Sequence, residues 1–527
     1  MTVAELLADG LRQAGVERGF SSSGAHALGP FLDIADRLGL PVVSAGSAWA
    51  ACVAGAVAGL LANVPGLAVV GALRERDAIA GVRFACQNRA PLIVLTTDIA
   101  PDGPGALGGV AKESLLVTRA SASHWVAHAA RLALTEPRGP VHLGIAGEEL
   151  EAAALPLAVD RRPPAAPAPE SASLEAAAEL IRRASRPLVV AGRGCRRDDT
   201  SWLRAFMEAM PAPVLTTATA RGAVPEPHPL SLGVLDGERP AHPIVERADL
   251  IITVGVDRDE LPGWVAPRST VHVDLARCAD EPFGVAAARV TGEPGAIFAE
   301  LASRLTGRSR ADWDVAEVDR LKRGATCPAG HARPGVLSDG QAPVPAPVGG
   351  PGEQARGSLA PQLRGGMATA LEPSRIVHLA RELTAAGAIA TFDGGQAWSA
   401  QRGWQAVELG DCLVAIDRQT RGTAIPSAIA AGLVFPRRQI LAFVEVSGLV
   451  EVAGELTTLK RLGLPIMVVV FGAGIETDTV GLAQRSGLVA RDVADEQSAE
   501  RALAKALTSA LPSVIVVRGA AGGEPRP

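Results

Sequence analysis

PVLTTATARGAVPEPHPLSLGVLDG spans Pro213–Gly237, ADLIITVGVDRDE follows at Ala248–Glu260, and STVHVDLA at Ser269–Ala276. Each segment carries a short β-branched run, giving predicted strands at Val214–Thr217, Leu250–Val254 and Thr270–Asp274. Upstream, a helical pattern covers Leu174–Ala184, and the apolar run Pro187–Ala191 leads into Gly192-Arg193-Gly194. Strand and helix periods alternate, and the strand runs are apolar on both faces. That is the pattern of an open, doubly wound sheet of parallel strands.

The same alternation extends in both directions. Towards the N-terminus, strands are predicted at Leu40–Ser44, Gly66–Val70, Pro91–Thr97 and Gly139–Leu143. Towards the C-terminus they are predicted at Ala388–Phe392, Gln439–Val444, Ile466–Phe471 and Ser513–Val517. The Pro/Ala-rich stretch RRPPAAPAPE (Arg161–Glu170) reads as an extended linker. A longer segment, Gly324–Gly366, contains PVPAPVGGPGEQARG and few large apolar residues, so it reads as a flexible linker. The expected organisation is three α/β domains, at 1–160, 171–310 and 369–527, with the linker at 324–366.

A chain of 527 residues suits about three domains. Apolar residues make up 48% and charged residues 20%, and mean hydropathy is +0.21, the profile of a globular protein with large cores. The net charge is −5 and there is no basic arm. Aromatics amount to 3%, with no tyrosine, which argues against a stacking platform for single-stranded nucleic acid. The N-terminal MTVAELLADGLRQAGV is an amphipathic helix with acidic residues, unlike a signal peptide. The most apolar stretch, AWAACVAGAVAGLLANVPGLAVV (48–70), is Ala/Gly-rich and broken by Pro65. It predicts a buried helix followed by a buried strand and not a membrane span. Six scattered cysteines without a CxxC pattern predict a cytoplasmic protein with free thiols.

The middle segments quoted above resemble the central domain of acetolactate synthase large subunits, within the wider group of thiamine-diphosphate-dependent decarboxylases and carboligases. DGGQAW (Asp393–Trp398), Gly422–Gly432 with Pro426, and Glu455-Leu456-Thr457-Thr458 resemble segments of that family's diphosphate-binding domain. The resemblance implies three doubly wound α/β domains with parallel sheets, in the order pyrimidine-binding, central and diphosphate-binding. It also implies a homodimer or homotetramer with active sites between chains, and it leaves FAD in the central domain open.

Against that resemblance, the positions that should hold thiamine diphosphate and Mg²⁺ differ. The glutamate that shares a proton with the aminopyrimidine falls on Ala48, within Ser47-Ala48-Trp49-Ala50-Ala51. Aligning on Pro426 puts Arg421 where a bulky apolar side chain wedges the cofactor. The metal motif becomes Glu445-Val446-Ser447, and the following Asn pair becomes Gly472-Ala473. A hard cation takes oxygen ligands, and only Glu445 among these offers a carboxylate. The expectation is that thiamine diphosphate and Mg²⁺ are not held in the usual way.

Charged residues stand in the same region. Arg74 and Arg76 lie in the loop Ala72–Asp77, after the second predicted strand of the first domain. With Arg421 and Glu445 they are expected to converge on the old cofactor cleft as a site for a small anion. The alternative is that these residues form salt bridges plugging that cleft. Glu445, and more weakly His26 in SSSGAH, are the candidate proton-transfer groups, and Ser447 is a candidate N-cap for the helix through Lys460. No zinc spacing, P-loop or serine-nucleophile motif stands out. Three functions remain: a repurposed enzyme acting on a 2-oxo acid or other small anion; a non-catalytic partner or regulatory subunit, in a hetero-oligomer with an active paralogue; and a divergent thiamine-diphosphate-dependent carboligase or decarboxylase. No nucleic-acid or membrane partner is expected.

Overall fold

A computed structural model describes the chain except residues 72–74, 98–105, 236–242, 262–270, 278–285, 306–310, 327–370, 473–477 and 519–527. Most of the predicted linker 324–366 therefore lies outside the described residues.

Three six-stranded parallel sheets follow one another along the chain. The first contains β1 (Gly19–Ser22), β2 (Val42–Ala45), β3 (Gly66–Val70), β4 (Leu92–Thr96), β5 (Ser114–Val117) and β6 (Val141–Ile145), in the order β2-β1-β3-β4-β6-β5. The second contains β7 (Pro187–Ala191), β8 (Val214–Thr216), β9 (Ser231–Val234), β10 (Leu250–Val254), β11 (Val271–Ala276) and β12 (Ala288–Thr291), ordered β12-β11-β10-β7-β8-β9. The third contains β13 (Ile389–Phe392), β14 (Cys412–Val414), β15 (Ile440–Glu445), β16 (Ile466–Phe471), β17 (Val489–Val493) and β18 (Ser513–Val517), ordered β14-β13-β15-β16-β18-β17. Central strands such as β3, β4, β10 and β16 are buried at every position, as expected of sheets covered on both faces.

The 48–70 stretch forms the helix Ala48–Ala62 and then β3. The Ser47 hydroxyl caps the helix by accepting from the Ala50 amide at 3.1 Å, and Asn63, at φ +58°, ends it in the left-handed region. Gly55 and Gly59 let this helix lie against the sheet; a Cβ on Gly55 would stand 2.9 Å from the Leu67 carbonyl oxygen. The helix also packs on Ala424–Val434 of the third domain, itself Ala-rich and buried. These two helices join the first and third sheets in one continuous apolar core. At the N-terminus, Val3–Gln13 forms the expected amphipathic helix, started by a Thr2/Glu5 capping box.

Ser447 is not an N-cap. It lies inside the short helix Val446–Glu451, and the helix Gly454–Leu462 starts separately from Ala453. The chain bends at Val452–Ala453, so one continuous helix does not run through Glu455. Cys52, Cys86, Cys195 and Cys412 are free thiols. Among the described residues no helix is long and apolar enough to cross a membrane.

Candidate functional site

The first and third sheets meet at the carboxyl ends of β2, β13 and β15. The Gly46 amide donates to Glu455 Oε1 at 2.6 Å, Trp49 Nε1 donates to the Gly422 carbonyl at 3.1 Å, and the Arg461 guanidinium donates to the Ser44 carbonyl. Trp49 packs edge-on against Phe84, with ring centroids 6.2 Å apart. Burial raises the Glu455 carboxyl above its ordinary range, opposed by the bond from Gly46.

Glu445 is the last residue of β15 and precedes the helix Val446–Glu451. Its Oε1 accepts from the Gln396 amide at 2.5 Å, and Arg421 Nε stands 3.7 Å from its Oε2. The space this carboxylate fills is the space a side chain at Gly395 would need. A Cβ there would lie 2.7 Å from Glu445 Oε2, and φ at Gly395 is +72°, so glycine is required on both counts. Two residues singled out in the sequence, Arg421 and Glu445, are thus brought together. The Arg421 side chain is 42% exposed and that of Glu445 15%, so the guanidinium remains reachable from solvent beside a largely enclosed carboxylate.

The loop carrying Arg421 is fixed from below. The Gly394 amide donates to the Thr420 carbonyl at 2.9 Å, and the Gly395 amide to that of Arg418 at 2.8 Å. Asp393, at the end of β13, holds the far side. Its Oδ1 accepts from the amides of Thr423 (2.7 Å) and Ala424 (3.0 Å). Its Oδ2 is buried against Gly448 and finds no hydrogen-bond partner. Burial outweighs the amide donors and pushes the Asp393 carboxyl up to about 6.

The other sequence candidates are placed as follows. Ala48 is buried in the first turn of its helix, Val446 is half-buried, and Gly472 lies exposed just after β16. Arg74 and Ala473 lie outside the described residues. Arg76 belongs to the helix Glu75–Gln87, but its side chain is likewise outside them. His26 is exposed on the short turn Ala25–Leu28, and among the described residues no hydrogen bond or ion pair joins it to Arg421 or Glu445. Sequence reasoning missed Trp49, Glu455 and Asp393 as charged or polar parts of the site. For Asp393 a signal was present: a carboxylate directly after a buried strand, followed by two glycines.

Among the described residues no three His, Cys, Asp or Glu side chains cluster as a metal site. Mg²⁺ bound with a diphosphate does not require such a cluster, because it commonly takes one or two carboxylates and fills its remaining positions with phosphate oxygens and water. Glu445 is such a carboxylate, at a strand end, with a cation beside it. Of the aligned metal positions only Glu445 carries a carboxylate, and it is already engaged by the Gln396 amide and Arg421; the first domain offers no proton at Ala48.

Comparison with known proteins bears on the fold and the family. The family described as "Thiamine pyrophosphate enzyme, central domain" matches residues 174–282. The acetolactate synthase large subunit of Parasynechococcus marenigrum (strain WH8102) is 26% identical over 392 residues, covering 66% of this chain and 56% of that protein. The acetolactate synthase isozyme 1 large subunit of Escherichia coli (strain K12) is 25% identical over 321 residues, 58% and 49% of the two chains. The chain thus aligns with about half the length of these two relatives. The crystal structure of benzoylformate decarboxylase from Polynucleobacter necessarius superposes with a TM-score of 0.78 at 16% identity, covering 98% of both chains. The expectation that thiamine diphosphate and Mg²⁺ are not bound is corrected by these findings. The matching family model is that of a thiamine-pyrophosphate enzyme domain, and the replacements at Ala48, Val446 and Gly472 do not by themselves show that binding is lost.

Proposed function

We propose that this chain, which belongs to the thiamine-diphosphate-dependent enzyme superfamily and is acetolactate-synthase-like within it, is a divergent decarboxylase or carboligase acting on a 2-oxo acid. The observation that carries this reading is the Arg421–Glu445 pair at the end of β15. Glu445 is the carboxylate for the hard cation. Arg421, half in solvent, receives the carboxylate of the substrate, for which a planar guanidinium is the best-matched side chain. Thiamine diphosphate, when bound, supplies the electron sink that loss of CO₂ from a 2-oxo acid requires. Trp49 ties the Arg421 loop to the first domain through the Gly422 carbonyl, while Asp393 fixes the loop through the Thr423 amide.

The test is CO₂ release from a panel of 2-oxo acids, with thiamine diphosphate and Mg²⁺ present or omitted, for the unmodified protein and Arg421→Met. Turnover is expected to need thiamine diphosphate. The variant should raise KM by about tenfold or more, the scale of one lost charge-assisted bond pair, with a smaller change in kcat. Saturable thiamine diphosphate binding without turnover of any 2-oxo acid would overturn the substrate class. An unchanged KM in the variant would remove Arg421 from its role.

A further inference from the structure

We infer that the crevice of the second sheet takes no dinucleotide and instead grips the first domain, and through it steadies the loop that carries Arg421. In that sheet β7 is flanked by β8 on one side and β10 on the other, so the chain reverses direction between β7 and β10. A doubly wound sheet binds its ligand at that point, outside the carboxyl ends of the strands. FAD, left open by the sequence, would have to enter there, and the residues present do not fit it.

The two turns that would have to part for a pyrophosphate are joined. The Gly194 amide donates to the Gly255 carbonyl at 2.8 Å, and a Cβ on Gly194 would stand 2.8 Å from Gly255 Cα. Above them sits Glu260, which is buried. It accepts from the hydroxyls of Thr217 and Thr219, both at 2.5 Å, and from the amides of Arg193 (3.0 Å) and Asp257 (2.8 Å). These hydroxyl and amide donors, which a phosphate would need, are engaged by the chain's own carboxylate.

The Arg193 side chain then reaches out of the crevice. Its guanidinium donates to the Gln87 carbonyl and pairs with Asp257 and with Asp259 (2.6 Å). Asp257 is shared with Arg89 of the first domain at 2.6 Å. The turn Gln87–Arg89, at the end of the helix Glu75–Gln87, is thereby held from the second domain. Its middle residue faces the third: Asn88 Oδ1 accepts from the Ile416 amide at 3.2 Å. Ile416 opens the loop that continues through Arg418 and Thr420, bonded to Gly394 and Gly395, to Arg421. Arg193 is thus a positioning residue, and the inference stands whether or not the substrate is a 2-oxo acid.

The experiment uses the full chain, with no activity readout. FAD is titrated against the protein by flavin fluorescence. Hydrogen–deuterium exchange is then compared between the unmodified protein, Arg193→Ala and Arg193→Lys. No saturable FAD binding is expected. In Arg193→Ala, exchange should quicken about tenfold in the peptides covering residues 87–89 and 416–421, with β15 and β16 unchanged. Arg193→Lys should fall between, since an ammonium cannot reproduce the forked contacts. If Arg193→Ala does not fold, Asp257→Asn serves in its place, weakening the grip of both Arg193 and Arg89. Saturable FAD binding would overturn the first half of the inference. Faster exchange confined to the second domain, in whichever variant folds, would overturn the second.

Discussion

Replacing Asp393 with asparagine should abolish a pH dependence of stability that this one carboxyl imposes. Asp393 is fully buried, its ordinary value of 3.8 is pushed up to about 6, and its Oδ2 has no hydrogen-bond partner. Burial disfavours the charged form more than the Thr423 and Ala424 amides favour it. In the folded state the group therefore holds its proton up to about pH 6, whereas unfolded it releases it near 3.8. Stability from this group is complete below 3.8 and is lost as pH rises towards 6, because the folded chain binds the extra proton across that window. The loss amounts to ~3 kcal/mol in all, at roughly 1.4 kcal/mol per pH unit, and it flattens above pH 6. The substituted carboxamide would still accept from Thr423 and Ala424 and carries no titratable proton. The assay is protection of β13 amides by hydrogen exchange in both proteins between pH 4.5 and 7.5, corrected for intrinsic exchange and taken as the difference at each pH, so that other carboxyls cancel. The unmodified protein should lose protection relative to the variant up to about pH 6 and then run parallel. A difference independent of pH would show that Asp393 is already ionised when folded, and would remove the claim that burial dominates its environment.

Two further changes probe the seam between the first and third domains. Trp49→Phe keeps the packing on Phe84 but deletes the donor to the Gly422 carbonyl, and should cost about 1 kcal/mol, read as a lower thermal midpoint and as faster exchange at Gly422. Glu455→Gln can still accept from Gly46 and should be nearly neutral. Glu455→Ala leaves that amide without its acceptor and should cost about 1–3 kcal/mol by thermal or urea unfolding; equal losses in the two variants would deny the bond its role.

Central strands were readable because both faces are buried, so they appear as unbroken apolar runs. Gly66–Val70, Pro187–Ala191, Leu250–Val254, Ile466–Phe471 and Ser513–Val517 are found where they were expected. The strands that went unpredicted are β1, with its two serines, and five of the six sheet edges: β5, β9, β12, β14 and β17. An edge strand has one neighbour and a more solvated face, so its sequence need not be apolar throughout. VARDV at β17 has three polar or exposed positions among its five and reads as a loop. The Arg421–Glu445 pair was within reach because both residues sit at fixed offsets from Pro426 and Glu455. Trp49, Glu455 and the Asn88 turn were not, because their partners lie hundreds of residues away and only the packed domains bring them together.

The placing of Glu445 admits two opposite electrostatic roles, and a single substitution separates them. The carboxylate accepts from the Gln396 amide and faces Arg421, so it occupies a position where a diphosphate would find the same two positive partners. If Glu445 only competes with the diphosphate, Glu445→Gln removes a like charge and tightens thiamine diphosphate binding at any Mg²⁺ concentration. If Glu445 is the carboxylate that holds Mg²⁺, the same change removes the strongest oxygen donor at the strand end, and binding weakens by about tenfold or more, with the loss largest at low Mg²⁺. We expect the second outcome. With Mg²⁺ bound, Glu445 would be its carboxylate and would no longer oppose the diphosphate, which would leave Arg421 for the substrate carboxylate. Calorimetric titration of thiamine diphosphate at several Mg²⁺ concentrations distinguishes the two, and tighter, Mg²⁺-insensitive binding by Glu445→Gln would refute the metal role assigned to this residue.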